Sequence, residues 1–207
     1  MFEKYGGKVK AYKIHVFLLL ILILVFAGCS SKSANVLKPE YEKNWTKVIA
    51  ILPVENKTDD NKAPQLLRSK LLEQLYFKGY SKLPLATIDQ RLESLYISDK
   101  KGNVGVIAPQ VLKDLVDADA VMYCTLLESS NSIGFFYAPV TISLSCELRK
   151  AESGEVLWKE KYKSTDRNFD FTRKNLEMKS CETYESVIEE VVNKIIETLP
   201  DGPNLRG

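Results

Sequence analysis

The chain is almost without histidine. Of its 207 residues only His15 is a histidine, and it lies in the N-terminal segment before Cys29. A chain that loses this segment has no imidazole, which excludes Ser-His-Asp and Cys-His catalysis and histidine metal sites. Phosphate-binding and redox motifs are also missing, since there is no G-x-x-x-x-G-K-[ST], no G-x-G-x-x-G and no C-x-x-C. We therefore expect no catalytic residue, no cofactor and no metal site.

The chain also has little excess charge of either sign. Residues 1–28 contain four of the 29 basic residues and one of the 27 acidic residues, so the net charge of +2 becomes about −1 without them. No basic footprint remains that would attract nucleic acid. Nucleic acid is therefore not an expected partner.

Long hydrophobic runs are missing as well. The uninterrupted apolar run covers residues 16–28, and as a helix it would span roughly 20 Å, short of the roughly 30 Å hydrocarbon core of a bilayer. A lysine-bearing segment followed by such a run is typical of a secretory signal peptide. The alternative is an uncleaved signal anchor followed by an incidental cysteine.

A cysteine stands directly after this run. The stretch LVFAGCSSKS, with Cys29 after Ala27 and Gly28, resembles the lipobox of bacterial lipoproteins, although Phe26 stands where leucine is usual. The resemblance implies a signal peptide over residues 1–28 and an acylated Cys29 that holds the protein on a membrane. Because Ser30 rather than aspartate follows the cysteine, it also implies the outer membrane, with the protein facing the periplasm.

The first half of the remaining chain predicts alternating strands and helices. Residues 29–45 are polar and predict a flexible tether, and residues 48–52 predict a strand buried on both faces. A helix should start near residues 59–64 and stop at Gly79, and residues 80–85 should add a parallel strand. Two more helices are predicted, one capped by a Thr87-x-x-Gln90 pattern and one over residues 109–116.

The second half predicts an antiparallel meander and a final helix. Residues 140–149 alternate strictly between apolar and polar side chains, and residues 184–199 carry a broad apolar helical stripe. The order is βαβααβββα, which predicts a single α/β domain with a mixed sheet over residues 46–200 and a C-terminal tail over residues 201–207.

Four stretches carry a family resemblance. VIAILPVENKTDD, FKGYSKLPL, DADAVMYCTLLE and SGEVLWKEKYKS, in this order behind a lipobox, resemble the N-terminal domain of TolB and the curli-secretion and penicillin-binding-protein-activating lipoproteins. They are most similar to the lipoprotein family named after a genome-derived Neisseria antigen. The resemblance implies a TolB-N-like α/β fold and a non-enzymatic envelope component that docks to protein partners.

Three cysteines follow Cys29. Cys124 and Cys146 lie on successive predicted strands and are symmetric about residue 135, so a hairpin centred there would place them opposite each other. They form either a disulfide, in an oxidising compartment, or two buried thiols. Cys181 lies seven residues before Ile188 and is expected to continue the buried stripe as a core thiol.

Acidic and amide side chains follow the first predicted strand. Glu55, Asn56 and Asp59 would lie near the end of that strand, where α/β sheets tend to bind ligands. The functional interpretation is a ligand-contacting crevice for a nucleotide or a sugar. The structural interpretation is a turn and a helix start that use acidic residues for capping.

The loop between two predicted strands is unusually apolar. Within SNSIGFFYAP it carries Ile133, Phe135, Phe136 and Tyr137, where a turn is normally polar. Either this loop is an exposed aromatic contact for a partner or the membrane, or it folds back and buries its rings.

These observations favour a lipid-anchored, non-catalytic lipoprotein of the outer membrane. It would serve as an accessory or assembly factor that docks to protein partners in an envelope transport or assembly complex. The alternative is a small-ligand binder or an enzyme that uses the crevice near Glu55, Asn56 and Asp59.

Overall fold

The computed structural model describes residues 46–98, 113 and 117–205. Within these residues the strands are β1 (Ile49–Ile51), β2 (Glu55–Asn56), β3 (Ala120–Asn131), β4 (Tyr137–Lys150) and β5 (Val156–Phe169). The helices are α1 (Ala63–Phe77), α2 (Leu85–Ser98) and α3 (Arg173–Glu197), followed by a short 3-10 helix (Pro203–Leu205). The predicted α/β class with a mixed sheet is confirmed.

The sheet has the strand order β1-β3-β4-β5, and β2 also pairs with β3. β1 and β2 run parallel to β3, whereas β3, β4 and β5 form an antiparallel meander. Because Ile49 pairs with Ala120, β1 and β3 begin at the same end of the sheet, which we call the root. The β3–β4 loop lies at the opposite end, and the 14 residues of β4 separate the two ends by about 45 Å.

One face of the sheet packs against α1 and α3. The apolar side of β4 was predicted to face the core, and each of its residues is fully buried. Leucines of α1 and aliphatic side chains of α3 complete this cluster. The buried residues of β4 on this side are Val140, Ile142, Leu144, Cys146 and Leu148.

Among the described residues, α2 covers the other face near the root. There α2 packs Ile88 and Leu92 against Ala50 and Leu52 of the β1 segment and against Val121 of β3. β1 is therefore buried on both faces, as its apolar run predicted. Farther from the root this face is polar, with ion pairs between strands such as Lys163 of β5 to Glu128 of β3, which crosses β4 at 2.6 Å.

The predicted strand over residues 80–85 is reduced to one parallel bridge, between Ser81 and Val48. The strand does not continue because α2 begins at Leu85. The carbonyl of Pro84 accepts the amides of Thr87 and Ile88, so Thr87 lies inside the first turn and is not the N-cap. The predicted helix over residues 109–116 lies outside the described residues apart from Lys113, which is helical.

The last helix is longer than predicted, and Cys181 is not in the core. α3 begins at Arg173, and Cys181 is an exposed free thiol. In the first half of the helix the buried residues are Leu176 and Ser180, which align with Val187 rather than with Ile188. The side of the helix that meets the sheet therefore shifts along its length, as the twist of a sheet requires, and Cys181 lies off that side.

The C-terminal residues pack against the end of α1. The amide of Gly202 donates to the carbonyl of Lys78 at 2.7 Å, and the Tyr80 hydroxyl donates to the carbonyl of Pro200 at 2.8 Å. A Cβ atom on Gly202 would lie 2.5 Å from the Gly79 backbone, so the close approach requires glycine. Residues 201–205 thus close the root of the domain.

Candidate functional site

The β3–β4 loop exposes its apolar side chains. Phe135 is 91 % exposed and Phe136 is 58 % exposed, and Ile133 and Tyr137 are each 37 % exposed. The rings therefore do not fold back onto the domain. The structure thus shows the exposed arrangement of this loop, and its role as a contact surface stays a prediction.

Two further aromatic residues join these four side chains. Phe169 and Phe171, at the end of β5 and just after it, are 64 % and 92 % exposed. The Phe169 ring lies 5.0 Å from the ring of Tyr137, and the Phe171 ring lies 6.1 Å from that of Phe136. We call these six residues the aromatic tip: Ile133, Phe135, Phe136, Tyr137, Phe169 and Phe171. The sequence signal for the added pair is the stretch FDF, which follows the polar run KSTDRN at the end of β5.

Polar side chains lie between the sheet and α3 beneath the aromatic tip. Near the tip the sheet turns the polar side chains of Ser129, Asn131 and Asn168 toward α3, beside the buried Ala138 and Val140. The hydroxyl of Ser180 donates to the side-chain oxygen of Asn131, and that of Thr183 donates to Asn168 at 2.9 Å. These two hydrogen bonds join the sheet to α3 beneath the tip and satisfy polar groups whose burial without a partner would be costly.

Hydrogen bonds hold the backbone of the tip in place. The Gly134 amide donates to the carbonyl of Tyr137 at 2.8 Å, and the Asp170 amide donates to the carbonyl of Phe136 at 3.3 Å. Lys179 of α3 donates to the Phe169 carbonyl at 3.2 Å and to the Asp170 carboxylate at 2.8 Å. The Lys179 ammonium and the Thr172 amide lower the pKa of Asp170 well below its usual range. The tip is therefore a pre-ordered surface.

Asp60 links β3, α3 and the start of α1 in the half of the domain that lies toward the tip. Asp60 Oδ2 accepts the hydroxyls of Ser129, at 2.6 Å, and Tyr184, and Oδ1 accepts the amides of Lys62 and Ala63 at the start of α1. Burial raises the pKa of Asp60, but these hydrogen bonds outweigh burial and lower it. Burial and the contact with Asp60 raise the pKa of Tyr184. We call Asp60, Ser129 and Tyr184 the Asp60 cluster.

The residues of the predicted ligand crevice do not converge. Glu55 Oε2 accepts the hydroxyl of Thr125 at 2.9 Å on the polar face of the sheet. Asn56 forms a local turn, accepting the Thr58 amide at 3.0 Å and donating to the carbonyl of Asp60 at 2.9 Å. Asp59 is exposed on the surface of the same turn. Glu55 therefore contacts the sheet, whereas Asn56 and Asp59 lie in the turn that follows.

The guanidinium of Arg68 occupies the space beside the end of β1. The amide of Leu52 donates to β3, so the carbonyl of Ile51 faces the free edge of the sheet. Arg68, which is 8 % exposed, donates Nε and Nη2 to this carbonyl at 3.1 and 2.9 Å. Its Nη1 donates to Asp89 of α2 at 2.7 Å. The buried guanidinium therefore occupies the position where a ligand at the strand end would be expected.

Cys124 and Cys146 form a disulfide between β3 and β4. They are directly opposed, with Cα atoms 4.1 Å apart and both side chains buried. The bond lies in the core between the root and the aromatic tip. In the part of the chain that the structure describes, no group of three or more His, Cys, Asp or Glu residues could hold a metal ion.

Comparisons with known proteins place the chain among lipoproteins. A family profile described as "Putative lipoprotein GNA1162-like" matches residues 39–204. No protein with a curated description matches the sequence. None of the helices among the described residues is long and apolar enough to cross a membrane.

Two solved structures are similar in fold. Lipoprotein GNA1162 from Neisseria meningitidis is 19 % identical with a TM-score of 0.53, over 67 % of this chain and 96 % of that one. The PelC dodecamer from Paraburkholderia phytofirmans is 15 % identical with a TM-score of 0.50, over 76 % of this chain and 89 % of that one. Neither name describes an enzymatic activity.

Proposed function

The chain belongs to the GNA1162-like lipoprotein family, and from this premise we propose that it is a non-catalytic docking protein of the cell envelope. Cys29, which lies outside the described residues, is acylated after removal of residues 1–28 and anchors the protein on the periplasmic side of the outer membrane. The domain then docks to a protein partner in an envelope transport or assembly complex. The contact surface is the aromatic tip.

The exposure of the tip is the observation that carries this proposal. Six large apolar side chains in one patch lower the solubility of a protein, so such a patch usually marks an interaction site. Phenylalanine and tyrosine are enriched at the centres of protein interfaces, where each ring buries a large apolar area.

The charges around the tip favour a protein partner over a lipid surface. Residues 129–140 carry no charged side chain, and residues 164–182 carry four acidic and four basic ones. A surface that binds anionic lipid carries an excess of lysine and arginine. An apolar centre with a neutral polar rim is the composition of a protein–protein interface.

A site-specific crosslinker tests the docking surface. With p-benzoylphenylalanine in place of Phe135, we expect irradiation of living cells to give a discrete crosslinked protein, identified by mass spectrometry. The same crosslinker at the exposed Glu73 on α1 is the matched control and should give no such product. The absence of a protein adduct at position 135, or an equal adduct at both positions, would contradict the proposal.

Replacement of the rings tests the energetics of docking. We expect Phe135→Ser with Phe136→Ser to abolish capture of the partner identified by crosslinking, without lowering the melting temperature, because both rings lie mostly in water. The leucine pair at the same positions keeps the apolar surface and should keep part of the capture. Unchanged capture by the serine pair would show that the tip is not the docking surface.

A further inference from the structure

A second, smaller exposed aromatic patch lies at the root. Tyr76 and Phe77, at the end of α1, are 56 % and 62 % exposed, and their rings are 5.9 Å apart. The ammonium of Lys82 lies 5.5 Å from the centre of the Tyr76 ring. Leu205, which is 57 % exposed, packs beside Gly79, two residues after Phe77. We call Tyr76, Phe77, Lys82 and Leu205 the root patch.

The root patch lies where the N-terminal segment joins the domain. The carbonyl of Lys47 accepts the amide of Ser81 at 2.9 Å, and Ser81 immediately precedes Lys82. Thr46 is the first residue that the structure describes, so the described part of the chain begins beside the patch. The sequence predicts residues 29–45 to be a flexible tether, and a coil of 17 residues would have a root-mean-square span of about 23 Å and a fully extended length of about 60 Å.

The composition of the patch suits a bilayer surface. Tyrosine, phenylalanine and lysine are the side chains that lie at headgroup depth, with rings among the upper acyl carbons and ammonium groups in water. Lys47 and Lys78 lie at the same end, and Lys78 pairs with Asp201 at 3.1 Å. Two rings and one leucine are too small for a stable protein interface, which needs about 800 Å² from each partner.

We propose that the root patch lies on the bilayer that carries the lipid anchor, so that the domain stands with the aromatic tip pointing away from that membrane. The inference rests on the proposed acylation of Cys29. A short tether gives an effective concentration in the millimolar range, at which a contact too weak to bind a free domain becomes occupied. The tip then lies about 45 Å farther from the membrane than the root.

Quenching by brominated lipid tests this orientation. The full chain is expressed, extracted from membranes and reconstituted into phosphatidylcholine vesicles with or without bromine near the headgroups. Trp45→Phe removes the tryptophan of the tether, and Trp158 stays because it is buried. In this background F77W reports on the root patch, and F171W is the matched probe at the tip. We expect bromine to reduce the fluorescence of F77W and to leave that of F171W unchanged.

Every other result overturns the inference. Which probes are quenched, together with the intact mass of the protein, shows which premise failed. If neither probe is quenched, the root patch does not contact the bilayer, whereas docking through the tip is unaffected. Quenching of F171W would overturn both proposals, because the tip would then be a membrane contact. An intact mass without acyl chains on Cys29 would refute the anchor itself. Y76W serves as the second root probe if F77W does not fold.

Discussion

The root and the tip both expose aromatic rings, but the packing beneath the rings differs between the two ends. At the root, sheet, helices and C-terminal residues pack around a core that includes Trp158, which is 1 % exposed and donates to the Thr198 hydroxyl at 3.1 Å. At the tip, polar pairs such as Thr183 to Asn168 lie between sheet and helix, beside the buried Ala138 and Val140. Folding free energy is therefore concentrated at the root, while the tip is positioned by hydrogen bonds and keeps its apolar surface for contact.

The largest effect should come from a cavity at the root. We expect Trp158→Ala to lower the free energy of unfolding by about 4 kcal/mol, because it removes a fully buried ring and leaves a cavity. The matched change Phe171→Ala, at a 92 % exposed ring, should alter it by less than about 0.5 kcal/mol. Urea unfolding measures both values. Similar losses for the two variants would remove the distinction between root and tip.

An intermediate effect should come from the disulfide between the two ends. We expect Cys124→Ala with Cys146→Ala to cost about 3 kcal/mol, the value for closing a loop of this size, since the cysteines are 22 residues apart. Because the bond encloses the β3–β4 hairpin, amide hydrogen exchange should rise more in the hairpin than in β1. Cys181→Ser, at an exposed thiol, is the control and should change neither quantity. Uniform acceleration of exchange would mean that the bond stabilises root and tip equally.

The smallest effect should come from the Asp60 cluster, and it should depend on pH. We expect Asp60→Asn to cost about 2 kcal/mol at neutral pH, because the carboxylate accepts two hydroxyls and two amides. The folded-state pKa of Asp60 is lowered, so its contribution is present above the ordinary value of about 4 and is lost as the pH falls through the folded-state pKa.

Urea unfolding of the wild type and the variant at pH 7 and pH 3 measures this dependence. The difference between the two proteins should shrink at the lower pH. Asp59→Asn, at the exposed neighbouring carboxylate, should leave stability unchanged at both values. A difference that stays constant with pH would show that the Asp60 charge does not stabilise the fold.

Local patterns in the sequence predicted much of the fold. The strict alternation of residues 140–149 gave the buried side of β4, because a strand has a fixed period of two. The same reasoning was wrong for Cys181, since the buried side of α3 shifts as the sheet twists beneath it. It also overextended the strand at residues 80–85, where Pro84 and Leu85 start α2.

Long-range pairing limited what could be predicted about the site. The sequence indicated Phe135 and Phe136, because apolar residues in a loop are a local anomaly. It did not indicate that Phe169 and Phe171 join them, since that depends on the register of β4 with β5. The hydrogen-bond partners of Asp60 could not be predicted either, because Ser129 and Tyr184 are 69 and 124 residues away in the chain.

The junction at Asp119 has a mechanical consequence. Its carboxylate accepts the amides of Lys47 and Val48 at 2.8 and 2.9 Å, at the point where any pull on the lipid anchor would reach the domain. In the proposed orientation, with the root facing the membrane, such a pull would act along β1 and load its parallel ladder with β3 in shear, so that the three residue pairs of the ladder share the force. A load on the docked tip would in turn pass along the long strands to the root. The domain is thus suited to transmit tension between an anchored end and a bound end.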